Sequence, residues 1–448
     1  MDATRLQKFL SDSARTATRN EIRELLKLIA RPDMISLAGG LPATQSFPIP
    51  ELKEVTQRVL DEFGTSALQY GPTEGDAGLR EELIGLIEAD GCENVELENV
   101  LVTTASQQAL DLCSRVFIAP GDTVVCGLPS YLGALGAFVA CGARLSGVPL
   151  DDEGMRTDLL EHRLLTLRRE GVHPKFLYLV PDFQNPAGVT LSVERRHEIL
   201  SIAREFDLLV VEDNPYRQLR YTGETPPALG ALDRDGRVIT LYSFSKVFCP
   251  GLRLGYVLAH PDVIARLVLA KQPVDLCTSN FNQTIAREYI KGGYLWPRLE
   301  RTRELYARKR EVMLAALSEH VDPDWGVTWT KPEGGMFLWM TLPKHLDAKD
   351  LFQKALERNV AFVIGNAFYC DGGGHNTLRL NFSCPNEEQL VVAVKRLADA
   401  IADLIRDQPA PAPRATEEVH GFSENLVTGS DHALTHLPLN LSLHEVLE

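Results

Sequence analysis

Residues 237–246, RVITLYSFSK, decide the fold more than any other stretch of the chain. β-branched, aliphatic and aromatic residues fill VITLYS, as expected of a strand buried on both faces. The run ends in Ser243, Ser245 and Lys246, and the turn sequence CPGLR follows. Ligands of α/β sheets bind outside the carboxyl ends of the strands. The stretch therefore predicts a central strand that carries a reactive lysine, although a surface lysine after a strand would leave the same pattern.

Apolar runs on either side of this stretch predict the rest of the architecture. VLVTT, DTVVC, KFLYLV, LLVVED and LGYVLA alternate with helical stretches, which predicts a mostly parallel sheet flanked by helices. The long helical stretch PRLERTRELYARKREVMLAALSEH then leads to VTWT, GMFLWMTL, AFVIG and TLRLNF, which alternate with shorter helices. We therefore predict a large α/β domain and a smaller α+β domain.

The domain boundaries are predicted from the same patterns. Residues 1–45 are an N-terminal arm, with the amphipathic helix NEIRELLKLIA, and part of the small domain. Residues 46–300 form the large domain and residues 301–406 the C-terminal small domain. Residues 407–448 are a linker and tail, since they open with the proline- and alanine-rich DQPAPAPR. A length of 448 residues agrees with more than one core.

The composition narrows the class of partner. A formal net charge of -15 argues against nucleic acid and anionic membranes, both of which bind clustered positive charge. A DNA-binding regulator would need a basic N-terminal domain, which the sequence lacks. No apolar run reaches the roughly 18 residues that cross a bilayer, and no signal-peptide core is found. We predict a cytoplasmic protein with small-molecule partners, and we expect its eight scattered cysteines to be reduced core thiols.

Three other predicted strand ends carry polar residues. LLVVEDNPY delivers Asp213 and Tyr216, VPDFQNPAG delivers Asn185, and TTASQQAL delivers Ser106 and Gln107. An aspartate can keep a pyridine nitrogen protonated, an asparagine can donate to a phenolic oxygen, and N–H groups at a helix start can hold an anion. Each motif alone also fits a helix cap or a turn. Together with the lysine they favour one site for a cofactor that has a pyridine ring and a phosphate.

Nine motifs in order give the chain a family resemblance. They are AGGLP, QYGPTEGDAGLR, SQQALD, PSYLGA, FQNPAG, VEDNPYRQL, SFSK, PGLRLGY and NTLRLNF, spread over about residues 20 to 405. The chain resembles the class I/II aminotransferases of fold type I, in particular the branch with 2-aminoadipate and kynurenine aminotransferases. The resemblance implies a pyridoxal 5′-phosphate (PLP) enzyme that moves an amino group between an L-amino acid and a 2-oxo acid by a ping-pong mechanism.

The resemblance also implies roles for the motif residues. Lys246 would bind PLP as a Schiff base and later move the proton at the substrate Cα, while Asp213 would pair with the pyridine nitrogen. Asn185 and Tyr216 would bind the O3′ oxygen. The other cofactor contacts would be Ser106, Gln107, Ser243, Ser245 and Arg253 at the phosphate, Tyr131 on the ring, and Tyr70 from the neighbouring subunit.

The implied substrate contacts complete the site. Arg379 would clamp the α-carboxylate with the bidentate geometry of a guanidinium, and Gly40 would line the substrate site beside Asn185. Because Tyr70 would reach the neighbouring subunit's cofactor, the implied active unit is a homodimer with shared sites. The resemblance implies no metal ligand.

Some positions depart from the family pattern. They are Tyr242 before SFSK, the pair Gly127 and Leu128 before PSY, and Asn381 in NTLRLNF. Such departures are either neutral or reshape the substrate pocket. The second possibility leaves open an alternative with the same cofactor and fold, in which the enzyme catalyses Cβ or Cγ elimination, replacement or C–C bond formation in natural-product biosynthesis.

Overall fold

The computed structural model of the chain describes residues 5, 6, 8–11, 14, 15 and 33–409. The predicted helix NEIRELLKLIA, and residues 410–448 of the predicted linker and tail, lie outside the described residues.

The described chain contains both long and very short strands. They are β1 (Ile35–Ser36), β2 (Val100–Thr103), β3 (Thr123–Leu128), β4 (Arg144–Asp151), β5 (Gly154–Met155), β6 (Phe176–Leu179), β7 (Leu209–Asn214), β8 (Val238–Ser243), β9 (Gly255–Leu258), β10 (Thr328–Trp329), β11 (Phe337–Thr341), β12 (Val360–Ala361), β13 (Val363–Ile364) and β14 (Thr377–Asn381).

The helices range from single turns to 26 residues. They are α1 (Ile49–Ala67), α2 (Ala77–Ala89), α3 (Ala105–Phe117), α4 (Leu132–Ala140), α5 (Thr157–Arg169), α6 (Val193–Glu205), α7 (Leu229–Leu232), α8 (Phe244–Val247), α9 (Pro261–Asp275), α10 (Asn280–Lys291), α11 (Leu295–His320), α12 (Ala348–Glu357) and α13 (Glu387–Asp407). Side chains cap several of their first turns. Asp76 accepts from the Leu79 N–H at the start of α2, and Asn386 forms a capping box at the start of α13.

The large sheet has the strand order β2-β9-β8-β7-β6-β3-β4-β5. Strands β8, β7, β6, β3 and β4 are parallel neighbours, whereas β9 is antiparallel to both β8 and β2. Only residues 244–254 connect β8 to β9, too few for the crossover that a parallel neighbour needs. The six strands predicted in this region are present, and the mostly parallel sheet is confirmed.

Strand β4 was not predicted from the sequence. Its residues, RLSGVPLD, include a glycine and a proline, both of which are depleted in strands. Its position explains why they are tolerated, since β4 lies near the edge of the sheet and only the two-residue β5 follows it.

The smaller sheet is antiparallel, with the order β10-β11-β14-β13. Strand β1 pairs in parallel with β12. The segment that precedes the large sheet in the sequence therefore packs with the C-terminal region. The predicted boundary at residues 300 and 301 falls inside the continuous helix α11. The domain limits therefore stay a prediction.

No helix within the described ranges is both long and apolar enough to span a membrane. The cytoplasmic location stays a prediction.

Candidate active site

Lys246 lies in α8, directly after β8. Its Nζ donates a hydrogen bond to the carbonyl oxygen of Gly40 at 2.6 Å. Burial lowers the pKa of Lys246 to about 8, and the positive charges of Arg379 and Arg253 contribute to this shift. At pH 7 roughly a tenth of this amine is therefore neutral, the form that acts as a nucleophile, far more than for an ordinary lysine.

Asp213, near the end of β7, is a buried carboxyl group with one free oxygen. Its side chain is 1% exposed, and its Oδ2 accepts a hydrogen bond from the Tyr178 hydroxyl at 2.9 Å. Its Oδ1 has no hydrogen-bond partner among the residues described. Burial raises the pKa of Asp213 to about 7, and the Tyr178 hydrogen bond opposes this shift. An additional N–H donor at Oδ1 would satisfy this carboxylate.

Tyr178 is a site residue that sequence reasoning missed. The stretch KFLYLV indicates only a buried strand. The signal was the tyrosine itself, because a buried phenol normally finds a hydrogen-bond partner. Tyr178 pairs in register with Val211 of the neighbouring strand, two residues before Asp213, so the partner lies diagonally across the two strands.

Arg379, Asn185 and Tyr216 form a chain of hydrogen bonds between the two sheets. Arg379, in β14, donates to the Asn185 side-chain oxygen at 2.7 Å and to the Ala38 carbonyl oxygen at 2.8 Å. The Asn185 amide in turn donates to the Tyr216 hydroxyl at 3.3 Å. Burial lowers the pKa of Arg379 to about 10. The arginine thus binds an asparagine that lies 194 positions away in the chain.

Two phenylalanines support this guanidinium. The Arg379 Cζ lies 4.2 Å from the ring centre of Phe337 and 5.1 Å from that of Phe368. A cation over aromatic faces is attracted to the ring quadrupole, so both rings help to hold the charge in place. Sequence patterns do not indicate these contacts, because both phenylalanines occupy ordinary core positions.

The predicted phosphate contacts meet where β8, β9 and α3 begin or end. The Ser243 hydroxyl accepts from the Ser245 N–H at 3.2 Å, and Arg253 donates to the Ser245 hydroxyl at 3.4 Å. A Cβ on Gly255 would lie 2.8 Å from the Ser106 nitrogen, so a side chain at this position would fill the space between β9 and the start of α3. Hydroxyl, N–H and guanidinium donors therefore converge beside a backbone without a side chain, an arrangement that suits an anion.

Tyr131 and Gln107 lie beside this group of donors. The Tyr131 hydroxyl donates to the Gln107 side-chain oxygen at 3.4 Å, and the Gln107 amide donates to the Gly133 carbonyl at 2.9 Å. Burial raises the pKa of Tyr131, and the nearby negative charge of Asp213 adds to the shift. Tyr131 is therefore close to the Asp213 side of the site.

Among the predicted site residues, Tyr70 lies apart from the others within a single chain. Its side chain is 79% exposed, so it is not part of the buried site of its own chain.

Two of the departures from the family pattern differ in their relation to these residues. Tyr242 pairs in register with Asn214 and so shares its sheet face, whereas Asp213 lies on the opposite face. Asn381 is fully buried, and its amide donates to the Ser383 hydroxyl at 2.9 Å. Tyr242 is thus separated from Asp213 by the sheet, whereas Asn381 lies on the same face of β14 as Arg379, two residues further along the strand.

Comparison with known families identifies the class. The family described as aminotransferase class I and II matches residues 32–397. The chain belongs to this family and is a PLP-dependent aminotransferase of fold type I, which confirms the predicted enzyme class and cofactor. The comparisons support transamination and not the alternative chemistry.

Individual relatives place the chain more closely within the family. Aromatic-amino-acid aminotransferase 1 of Thermococcus litoralis is 47% identical over 397 residues, which cover 89% of this chain and 95% of that protein. The 2-aminoadipate transaminase of Thermus thermophilus is 46% identical over 387 residues, 86% of this chain and 94% of that protein. These similarities confirm the predicted branch.

A solved structure agrees in fold over nearly the whole length. Pyrococcus horikoshii kynurenine aminotransferase, solved with PMP, KYN and KYA, has a TM-score of 0.86 and 43% identity, covering 89% of this chain and 98% of that one.

Proposed function

We propose that Lys246 binds PLP covalently and acts as the base, that Asp213 pairs with the pyridine nitrogen, and that Arg379 binds the substrate α-carboxylate. The observation that carries this proposal is the half-satisfied buried carboxyl of Asp213, whose free Oδ1 fits a pyridinium N–H. PLP, when bound, accepts the electrons that the substrate Cα loses with its proton. The residues of this chain fit that group.

Lys246 has two tasks in this proposal. Its pKa of about 8 provides neutral amine for the bond to the cofactor. Once free of the cofactor, the neutral amine would lie next to Cα and take its proton. The hydrogen bond to the Gly40 carbonyl supports the second task, because it aims Nζ toward the loop that would line the substrate.

Asn185 and Tyr216 would hold the O3′ oxygen, and the donors around Ser243 would hold the phosphate. Support for the first pair comes from its hydrogen bond and from its burial. Support for the second group comes from the close approach of Gly255 to the Ser106 nitrogen. The two groups of residues would hold the cofactor at two separate points and so would orient it toward Lys246.

Tyr178 would position Asp213 and keep it ionised. Replacing Tyr178 with Phe removes the hydrogen bond that opposes the raised pKa of Asp213. We expect kcat to fall about ten- to a hundredfold, with KM nearly unchanged because Tyr178 would touch no substrate. Steady-state kinetics of the loaded enzyme provides the measurement.

Tyr289→Phe is the matched control for this variant. Tyr289 is 0% exposed, and its hydroxyl has no hydrogen-bond partner within the described part of the chain. Equal losses of kcat in the two variants would mean that Tyr178 only fills space.

Arg379 would recognise every substrate by its α-carboxylate. Two of its nitrogens already bind Asn185 and Ala38, and its Nε has no partner among the described residues, so donors remain for a carboxylate. We propose amino donors with aromatic or long side chains, as in the names of the relatives. A panel of amino acids, read at the cofactor absorbance, identifies the donor.

Arg379→Ala is expected to raise KM about ten- to a hundredfold for every donor in that panel. Arg115→Ala, whose side chain is 53% exposed in the wild type, is the matched control. A loss confined to donors with one kind of side chain would contradict the carboxylate role.

The active unit that we propose is a homodimer. Large apolar side chains in α9 and directly after α1 and α9 are exposed in the single chain, among them Leu68 (70%), Tyr70 (79%), Leu269 (56%) and Leu276 (51%). A second copy would cover them, and Tyr70 would then reach its partner's phosphate site.

Mixing two inactive variants tests the shared site. In the proposed dimer each site takes Lys246 from one subunit and Tyr70 from the other. A hybrid of a Lys246→Ala subunit and a Tyr70→Ala subunit therefore has one site without Lys246 and Tyr70 and one site with both. After subunit exchange of equal amounts, roughly half of the dimers are hybrids and roughly a quarter of wild-type activity should return. Tyr294→Ala, with a tyrosine outside the proposed site, replaces Tyr70→Ala in the control mixture. A Tyr70→Ala variant with full activity by itself, or a mixture without regain, would contradict the proposal.

A further inference from the structure

Two cysteines from distant parts of the chain meet beside the candidate site. Cys126 lies in β3 of the large sheet, and Cys370 follows the turn Gly365–Phe368 of the C-terminal region. Their sulfurs are 3.9 Å apart, although 244 positions separate them in the chain. Both are free thiols.

The pair lies at a junction between the two sheets. The segment after Cys126 continues to Ser130, whose N–H donates to the Phe368 carbonyl at 2.8 Å. Phe368 is one of the two rings that support Arg379. The thiol pair therefore lies between β3 and the turn that carries Phe368, one of the supports of Arg379.

We propose that Cys126 and Cys370 are the site of a reversible disulfide, formed with a peroxide as oxidant, and that this bond slows turnover by fixing the Phe368 turn to β3. The slowing of turnover rests on the proposed function, whereas the formation of the bond does not. The two sulfurs need to approach from 3.9 Å to about 2.05 Å, a movement within the reach of side-chain rotation and small backbone shifts.

The chemistry balances with two thiols and one peroxide. The Cys370 thiolate attacks one peroxide oxygen, so that the O–O bond breaks, hydroxide leaves and a sulfenic acid forms. The Cys126 sulfur then attacks the Cys370 sulfur, the S–S bond forms, and the sulfenic hydroxyl leaves as water with the Cys126 proton. Overall the two thiols are oxidised by two electrons and the peroxide is reduced to two waters. A small thiol reductant reverses the bond by exchange.

The surroundings decide which thiol reacts first. Cys126 is completely buried, whereas Cys370 is half-buried, so the oxidant meets Cys370. With Cys126 as the hydrogen-bond donor, this bond lowers the pKa of Cys370 and raises that of Cys126. Cys370 is thus suited to form the sulfenic acid and Cys126 to resolve it.

The disulfide would act on a part of the site that has to adapt to substrate. Arg379 binds Asn185 and Ala38 in the structure and has to redistribute its donors when a carboxylate arrives. A covalent link behind Phe368 restricts that adjustment without touching Lys246 or Asp213.

Peptide mapping of the PLP-loaded enzyme tests the bond. The protein is treated with a small excess of hydrogen peroxide in thiol-free buffer, alkylated and digested without reductant. We expect a linked peptide pair that contains residues 126 and 370, and a kcat that falls by about fivefold or more and returns with dithiothreitol. Full recovery of the free thiol peptides with no linked pair would overturn the site, and a linked pair with unchanged kcat and KM would overturn its effect on turnover.

Single variants separate this pair from the other thiols. Cys370→Ser and Cys126→Ala should each remove both the linked peptide and the dithiothreitol-reversible loss of kcat. Cys384→Ser, which changes an exposed thiol, should retain both and serves as the matched control. Mapping on the wild-type protein needs no variant, so it tests the bond even if Cys126→Ala folds poorly. Because mapping does not depend on catalysis, it also distinguishes a failed disulfide from a failed assignment of the active site.

Discussion

Lys246→Ala is expected to abolish the covalent bond to PLP and to lower kcat by about 10⁴-fold, the upper end of what one positioned proton-transfer group contributes. The reason is the position of Nζ, which is held by the Gly40 carbonyl and has a pKa lowered to about 8. Absorbance of the dialysed protein reports the bond, and single-turnover kinetics reports the proton transfer.

The control for this variant is Lys291→Ala, which removes an exposed lysine at the end of α10. It should bind PLP and turn over as the wild type does. Normal turnover by Lys246→Ala, with cofactor retained, would show that another group is the nucleophile.

Asp213→Asn is expected to lower kcat by roughly 10²- to 10³-fold, because the amide cannot supply the charge that keeps a pyridine nitrogen protonated. The substitution preserves shape in a position that is 1% exposed, so packing should survive. Kinetics at saturating PLP separates this effect from weaker cofactor binding. Asp207→Asn, at an exposed position in the same chain segment, is the control.

The same variant should also change how the free energy of unfolding of the cofactor-free protein depends on pH. The pKa of Asp213 is about 7 when folded and about 3.9 when unfolded, so the folded state binds more protons between these values. Its contribution to the free energy of unfolding is fully present below about pH 4 and is lost as the pH rises through about 7. Asp213→Asn should remove this part of the pH dependence in urea melts. An unchanged profile would mean that Asp213 is not the buried acid we describe.

Much of the fold could be predicted because local patterns agree with it. RVITLYS and LLVVED are apolar almost throughout, and each forms a strand buried on both faces of the sheet. RLSGVPLD was missed because a strand near the edge tolerates the residues that interior strands exclude. The orientation of β9 was also not predictable from its own composition, since the short connection from β8 determines it.

Site residues could be predicted from the sequence where their type is uncommon at such a position, and they could not where their type is common in a buried strand. Lys246, Asp213 and Asn185 lie at or just after the ends of buried strands, where polar side chains need a reason. Tyr178 and Phe337 lie in runs whose pattern indicates only a buried strand, and their contacts are seen only once the neighbouring strands are in place. The role of Tyr70 stays a prediction because it depends on a second chain.

The short connection between β8 and β9 limits how such an enzyme can diversify. Lys246 and Arg253 both belong to it, and Gly255 begins the next strand. An insertion or deletion there would shift all three at once, so the part of the molecule that handles the coenzyme resists change. Changes in substrate preference are therefore expected outside this connection, in the loop around Gly40 and in positions of the smaller sheet other than Arg379.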